Sequence, residues 1–323
     1  MRRRVALLAT VLLFAPVCAG AQPAAPETPA AAVPVPNPPA VLQEPVDLAF
    51  GAYQRGLFLT AFREATQRIA TDPAYSAAMT LLGELYAQGL GVTQDWAKAA
   101  DWYRLAAARG DPQAAYALGM ILLDGRAATR DPAAARRLLE SAAEAVPAAA
   151  YILGGVLLRE NKADSDRRAV ALFRRAAAAS DIDGQYALAV MLREGRGTAR
   201  DPVEAALWMG RAAAGRNVSA QVEYGIMLFN GDGVRKDEMA AARMFLRAAE
   251  QGNPIGQNRV ARIYAAGRGL PRDLVEAARW HILAGRQGMS DPWLDEAVRG
   301  LSAADREKAE RAALRWLELR GAA

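Results

Sequence analysis

The sequence has 323 residues, a formal charge of +5 and a single cysteine, and about half of it is apolar. Three of the five charges are Arg2, Arg3 and Arg4, in a stretch without acids, so the chain beyond residue 21 carries only +2. That balance excludes the basic surface of a nucleic-acid or anionic-membrane binder, and one cysteine excludes a disulfide framework.

The N-terminus reads as a secretory signal. The three arginines precede an apolar run from Val5 to Phe14 and a small-x-small site at Ala19-Gly20-Ala21. The run is about half the ~20 residues that a spanning helix needs, so cleavage near Ala21 is expected rather than retention as an anchor. The arginines also hint at twin-arginine export, which Val5, Ala6 and Leu7 do little to support. Cys18 follows Ala15-Pro16-Val17, a poor match to a lipoprotein signal, and is read as discarded with the leader rather than lipidated. The mature chain is then expected to be periplasmic or secreted and to contain no thiol. Residues 22–45 are mostly Ala and Pro. Proline lacks an amide donor and disfavours helix in the residue before it, so this segment reads as an extended, disordered tether. No later stretch is apolar for long enough to cross a bilayer, so no transmembrane segment is expected after cleavage.

Residues 46–72 read as a degenerate N-terminal helix pair. From 73 to 290 the chain is self-similar. Small anchors at Gly83, Gly119, Gly154, Ala189, Gly225 and Ala261 are 36, 35, 35, 36 and 36 residues apart. Twelve residues after each anchor stands an aspartate: Asp95, Asp131, Asp166, Asp201, Asp237 and Asp273. Nineteen after each stands a bulky residue: Trp102, Leu138, Phe173, Trp208, Met244 and Trp280.

Each unit is predicted to be two helices. In the first unit the earlier helix has Met79, Leu82, Leu85 and Tyr86 at helical spacing and stops at Gly89 and Gly91. The glycine pair recurs as Gly195/Gly197, Gly231/Gly233 and Gly267/Gly269; the second unit keeps Gly125 with Ala127, and the third has Glu160 and Lys162 instead. The aspartate column is read as the N-cap of the second helix, with proline at the first helical position in Asp131-Pro132 and Asp201-Pro202. Asp201-x-x-Glu204 and Asp273-x-x-Glu276 are read as capping boxes. The small anchor admits a close backbone approach, and the residue at plus nineteen is expected to fill the space between units. Residues 291–323 read as capping helices, the longer starting at Ser302-x-x-Asp305. One helix pair cannot bury its apolar face alone, so the expected fold is all-α: a right-handed α/α superhelical solenoid of about six helix pairs with terminal caps.

Segments such as AAMTLLGELYAQGLGVTQDWAKAADWYRLAAARGD (77–111) and AQVEYGIMLFNGDGVRKDEMAAARMFLRAAEQGN (220–253) resemble the Sel-one-like repeat, a relative of the tetratricopeptide repeat. The resemblance implies that first helices line a concave face, and that the protein is an adaptor or regulator of envelope assemblies or signalling with a protein partner. Some cysteine-rich secreted relatives are described as acting on β-lactams. This chain lacks their paired cysteines and has no Ser-x-x-Lys motif that stands out.

No catalytic, metal or cofactor site is expected. His281 is the only histidine and has no second His or mature Cys to share a metal or activate a nucleophile. The Gly-x-Gly loops follow helices and precede no Walker lysine, so they are turns. Function is expected on the inner surface of the curve. Positions two before and one after each anchor share a helical face. They read Leu81/Glu84, Ala117/Met120, Ile152/Gly155, Ala187/Val190, Glu223/Ile226 and Arg259/Arg262. The candidate groove is therefore apolar through Ala117, Met120, Ile152, Ala187, Val190 and Ile226, holds Glu223, and ends basic at Arg259 and Arg262. It is suited to an amphipathic helix or extended segment. Three alternatives stay open: that these apolar residues only pack against adjacent helices, that the partner is cell-wall glycan rather than protein, and that the chain is a β-lactam or wall hydrolase.

Overall fold

The structure, a computed structural model, describes residues 47–127 and 130–321. The expected signal, the tether and the first residue of the expected N-terminal pair lie outside the described residues. Among those described there are sixteen α-helices and no strand. Six consecutive pairs make the repeats: α3 (Ser76–Gln88) with α4 (Trp96–Ala107), α5 (Pro112–Asp124) with α6 (Pro132–Ala142), and α7 (Pro147–Leu158) with α8 (Ala163–Ala178). They continue as α9 (Ile182–Glu194) with α10 (Pro202–Ala214), α11 (Val218–Asn230) with α12 (Glu238–Glu250), and α13 (Pro254–Ala266) with α14 (Leu274–Gly285). Helices α1 (Leu48–Gln54) and α2 (Phe58–Thr71) precede them; α15 (Pro292–Val298) and α16 (Ala303–Gly321) follow.

Each helix packs on its partner and each second helix packs on the first helix of the next pair, which makes an all-α solenoid. First helices also approach one another directly, α1 with α3, α3 with α5, α7 with α9 and α13 with α15. No two successive second helices of the six repeats pack as closely, so the first helices line the inner side of the stack. At its end α16 lies along α14, where Trp316 meets Trp280 edge to face at 6.2 Å.

Local chemistry sets the helix boundaries. Asp95, Asp131, Asp201, Asp237 and Asp273 each accept a hydrogen bond from a first-turn amide of the second helix. Asp111, Asp181, Asn217 and Asn253 do the same for the first helices. The third repeat departs from the expected column: α8 starts three residues before Asp166, after Lys162, and Asp166 lies in its first turn. There its carboxylate takes Arg196 from the next repeat, at 2.9 and 2.8 Å. The loop has four residues (159–162) where the other repeats have seven, so an aspartate that keeps its distance from the anchor no longer falls at the cap.

The capping boxes at Asp201 and Asp273 form only half. Each carboxylate accepts two amides of its helix, but the aspartate's own N–H goes to a carbonyl nine residues earlier, Leu192 or Tyr264. The same closure recurs from Asp95 to Tyr86, Asp131 to Leu122 and Asp237 to Leu228. With that amide taken, Glu204 binds Arg174 and the Trp208 indole, and Glu276 binds Arg279.

Two glycine columns carry the packing. Gly231 closes α11 at φ +81, and Gly233, at φ +68, presses on the start of α10 in the preceding repeat. A Cβ on Gly233 would lie 1.8 Å from the Pro202 carbonyl oxygen. At the anchors, a Cβ on Gly154 would lie 2.4 Å from the Phe173 ring, and one on Gly83 2.6 Å from Tyr103. The residue filling the anchor is therefore not the expected plus-nineteen column in most repeats. It is the next residue: Tyr103, Leu139, Met209 and Phe245 are buried, while Trp102, Leu138, Trp208 and Met244 remain half-buried on the flank. Phe173 fills the anchor at plus nineteen because its loop is short, and Trp280 is buried because α16 covers it.

One buried column is polar. Four residues before the anchor, Gln185, Gln221 and Gln257 donate to the carbonyls of Ala177, Ala213 and Ala249 at the end of the preceding repeat, each at 3.4 Å. Gln251 and Gln287 then donate to the side chains of Gln221 and Gln257 at 2.8 and 2.9 Å. In the first three repeats the same position holds buried Met79, Ala115 and Ala150.

Replacing Gly233 by alanine is expected to cost about 2–5 kcal/mol, from left-handed strain plus collision with a fixed backbone. Gly110→Ala has a similar positive φ but nothing within 4 Å of its added Cβ, and is expected to cost only about 1–2 kcal/mol. The midpoints of urea unfolding of the two variants measure the difference.

Candidate functional site

The expected groove residues fall on the inner helices in the expected order, and the apolar ones are all half-buried. They do not form one continuous channel. Ala117 and Met120 on α5 line a recess of about 300 Å³ with Glu84, Gln88, Tyr103 and Asp124. Ile152 on α7 and Ala187 and Val190 on α9 sit against the core of the central repeats, packed and still partly accessible. Ile226 on α11 and Arg259 and Arg262 on α13 line a second cavity of about 310 Å³ with Phe229, Ile263 and Trp293. Glu223 is not free: it holds Arg193 at 2.6 Å.

The two recesses differ in electrostatics. In the first, buried Tyr103 donates its hydroxyl to Glu84 at 2.7 Å. Burial, then the hydrogen bond to Glu84 and its charge, pushes that phenol far above its ordinary range, so it stays a donor to the carboxylate. No cation lies within ion-pair reach of Glu84 among the described residues. In the second, Arg262 donates through Nε and Nη2 to the two carboxylate oxygens of Asp291 at 2.6 and 2.8 Å. Burial pushes the Asp291 carboxyl up, but the hydrogen bonds from Arg262 and Asn258 and the Leu294 amide outweigh it and hold it at about 2. Asp291 also caps α15, so one buried carboxylate ties the inner face of the last repeat to the helix that ends it.

Sequence reasoning missed Trp293, Phe229, Arg268 and Asp291. For Asp291 a signal exists: Asp291-Pro292 repeats the Asp-Pro cap pattern that opens the helices of earlier repeats. Phe229 and Arg268 fall outside the two face positions considered.

His281 occupies the position of Tyr103 in the last repeat. Its Nε2 lies 2.7 Å from Asp295, while Nδ1 is buried without a partner. The cavity beside it is lined by no Ser, Thr, Cys or Lys. No three His, Cys, Asp or Glu side chains gather as metal ligands among the described residues. No helix among them is long and apolar enough to cross a membrane.

Known proteins supply the remaining comparison. The model of the Sel1 repeat matches six times in succession, at residues 76–111, 112–145, 147–181, 182–217, 218–253 and 254–289. The chain belongs to the Sel1 repeat family. Sel1 repeat proteins in general serve as protein-interaction scaffolds. No curated protein matches the sequence. Among solved structures, a Sel1 repeat protein from Oxalobacter formigenes shares the fold at 22% identity with a TM-score of 0.64, over 76% of this chain and all of that one. A protective antigen of uropathogenic Escherichia coli, itself with the SLR fold, is 26% identical with a TM-score of 0.55, over 84% of this chain and 67% of that one.

The Asp291 pair makes a pH prediction for this Sel1 repeat chain. Its carboxyl is lower in the fold, at about 2, than the ordinary 3.8 of the unfolded chain. The stabilisation is thus full above about pH 4 and is lost as pH falls towards 2. Acid unfolding over that window is expected to be less steep in Asp291→Asn, which is already destabilised at neutral pH. Circular dichroism across pH 2–6 measures both.

Proposed function

We propose that this protein is an exported protein-binding scaffold that holds a segment of a partner along its inner face, as an adaptor or regulator of an envelope assembly or signalling complex. One observation carries the reading. The first helices present apolar side chains that are half-accessible rather than buried, between a recess containing Glu84 and a cavity rimmed by arginines. Such a strip offers an apolar seam with opposite charge at its two ends, which suits an amphipathic helix or extended segment bound in one direction. The general role of Sel1 repeats in protein interaction supports a protein as the ligand. The export reading is supported by the Arg2–Arg4 run, the apolar stretch and the small-x-small site of the sequence.

The test is affinity capture from the native envelope with the tagged full-length protein, followed by mass spectrometry. One dominant protein partner is expected. Its recovery is expected to fall at least tenfold in the Met120→Asp/Ile226→Asp double variant, since a charge on each apolar patch leaves an unpaired group in the bound state. Far-ultraviolet circular dichroism is expected to be unchanged, because both positions are half-exposed. Equal recovery by a folded double variant, or enrichment of wall sacculi without a protein partner, overturns the reading.

A further inference from the structure

The cavity where α11 and α13 meet the cap helix α15 has a composition that the rest of the inner face lacks. Ile226, Phe229, Ile263 and Trp293 line it with apolar surface, and Trp293 is 46% exposed, whereas the other tryptophans among the described residues are buried or half-buried. Three arginines line it as well, and they are not equivalent. Arg262 uses Nε and Nη2 on Asp291, and its guanidinium lies 5.2 Å from the Trp293 ring centre. Arg268 uses the same two nitrogens on Glu238 and lies 4.2 Å over Phe229. Each is thereby paired with a carboxylate and held over an aromatic ring. Arg259 is exposed and has no carboxylate and no hydrogen bond among the described residues. The net charge at the mouth is its own.

A guanidinium left unpaired beside an apolar recess is matched by a carboxylate beside an apolar group. The volume, about 310 Å³, is at the low end for ligand pockets and suits one large side chain rather than an extended molecule. We infer that this cavity is the anchor point of the bound partner segment, taking a bulky apolar side chain into the recess and an adjacent carboxylate, from an acidic residue or a free C-terminus, onto Arg259. The inference rests on the scaffold reading and gives it a direction: the acidic–apolar end of the segment lies at the sixth repeat.

The experiment uses the full-length protein and fluorescein-labelled peptides, read by fluorescence anisotropy. One peptide ends Gly-Ser-Gly-Phe with a free carboxylate, a second ends Gly-Asp-Phe-amide, and a third, neutral, ends Gly-Asn-Phe-amide. At least one carboxylate peptide is expected to bind about ten- to a hundredfold more tightly than the neutral one, as a charge-assisted hydrogen bond requires. Whichever binds identifies the source of the carboxylate. Arg259→Glu is expected to abolish the preference and Arg259→Lys to retain most of it. Arg259 has no partner to lose, so neither variant should shift thermal unfolding. Binding indifferent to the carboxylate or to Arg259→Glu, binding of none of the three peptides, or binding of an acidic oligosaccharide in their place overturns the anchor. Loss of native partner capture in Met120→Asp/Ile226→Asp but not in Arg259→Glu would sink the anchor alone and leave the scaffold standing.

Discussion

A helix pair of this length is two cylinders thick and cannot enclose a core, so each repeat becomes stable only by how near it comes to the next. That nearness is set where a side chain is missing. The Tyr103 and Phe173 rings lie where Gly83 and Gly154 would carry a Cβ, and the start of α10 lies where Gly233 would carry one. The first column brings the two helices of a repeat together and the second brings successive repeats together. Once both distances are fixed, the buried small residues of the second helices, Ala106, Ala142, Ala176, Ala212 and Ala248, close the remaining space without large side chains. The high alanine content is the packing solution that follows from this close approach.

The repeats, the caps and the turn glycines were legible in the sequence because each depends on a few neighbouring residues, and the same few recur. The misreadings came where position in the repeat and position on the helix parted company. Asp166 keeps its distance from Gly154, yet a loop of four residues instead of seven puts it a turn inside α8, where it serves the neighbouring repeat through Arg196. The bulky plus-nineteen residues were expected to fill the space between units; in four of the six repeats the helix turns the following residue inward instead. The glutamine column left no trace in a reading of apolar periodicity. Gln221 and Gln257 are buried through hydrogen bonds to a neighbouring repeat, and such partners are invisible from local sequence.

The candidate site was legible in outline. Choosing two positions per first helix located residues of both recesses, since helical geometry decides which side chains share a face. What closes the recesses comes from other elements. Phe245 belongs to a second helix, Arg268 to a turn and Trp293 to the cap. Their convergence depends on how far each repeat rotates on the last, which no periodicity records. The single histidine was read as carrying no metal or catalytic role; its place in the repeat is that of Tyr103, and its Nε2 lies 2.7 Å from Asp295.

The polar bridges between repeats are unevenly distributed along the stack. Between the first and second repeats the joint is apolar, with Arg126 stacked over Trp96. From the joint between the second and third repeats onward, arginine–carboxylate pairs such as Arg136–Glu160, Arg196–Asp166, Arg193–Glu223 and Arg268–Glu238 cross the joints, and from the fourth repeat the glutamine-to-carbonyl bonds of Gln185, Gln221 and Gln257 join them. Apolar surfaces slide at little cost because dispersion has no direction, whereas a hydrogen bond weakens steeply when bent. Directional bonds thus resist sliding at every joint from the second repeat to the sixth, and the joint between the first and second repeats is the one of the six-repeat stack held by apolar packing and a stacked guanidinium.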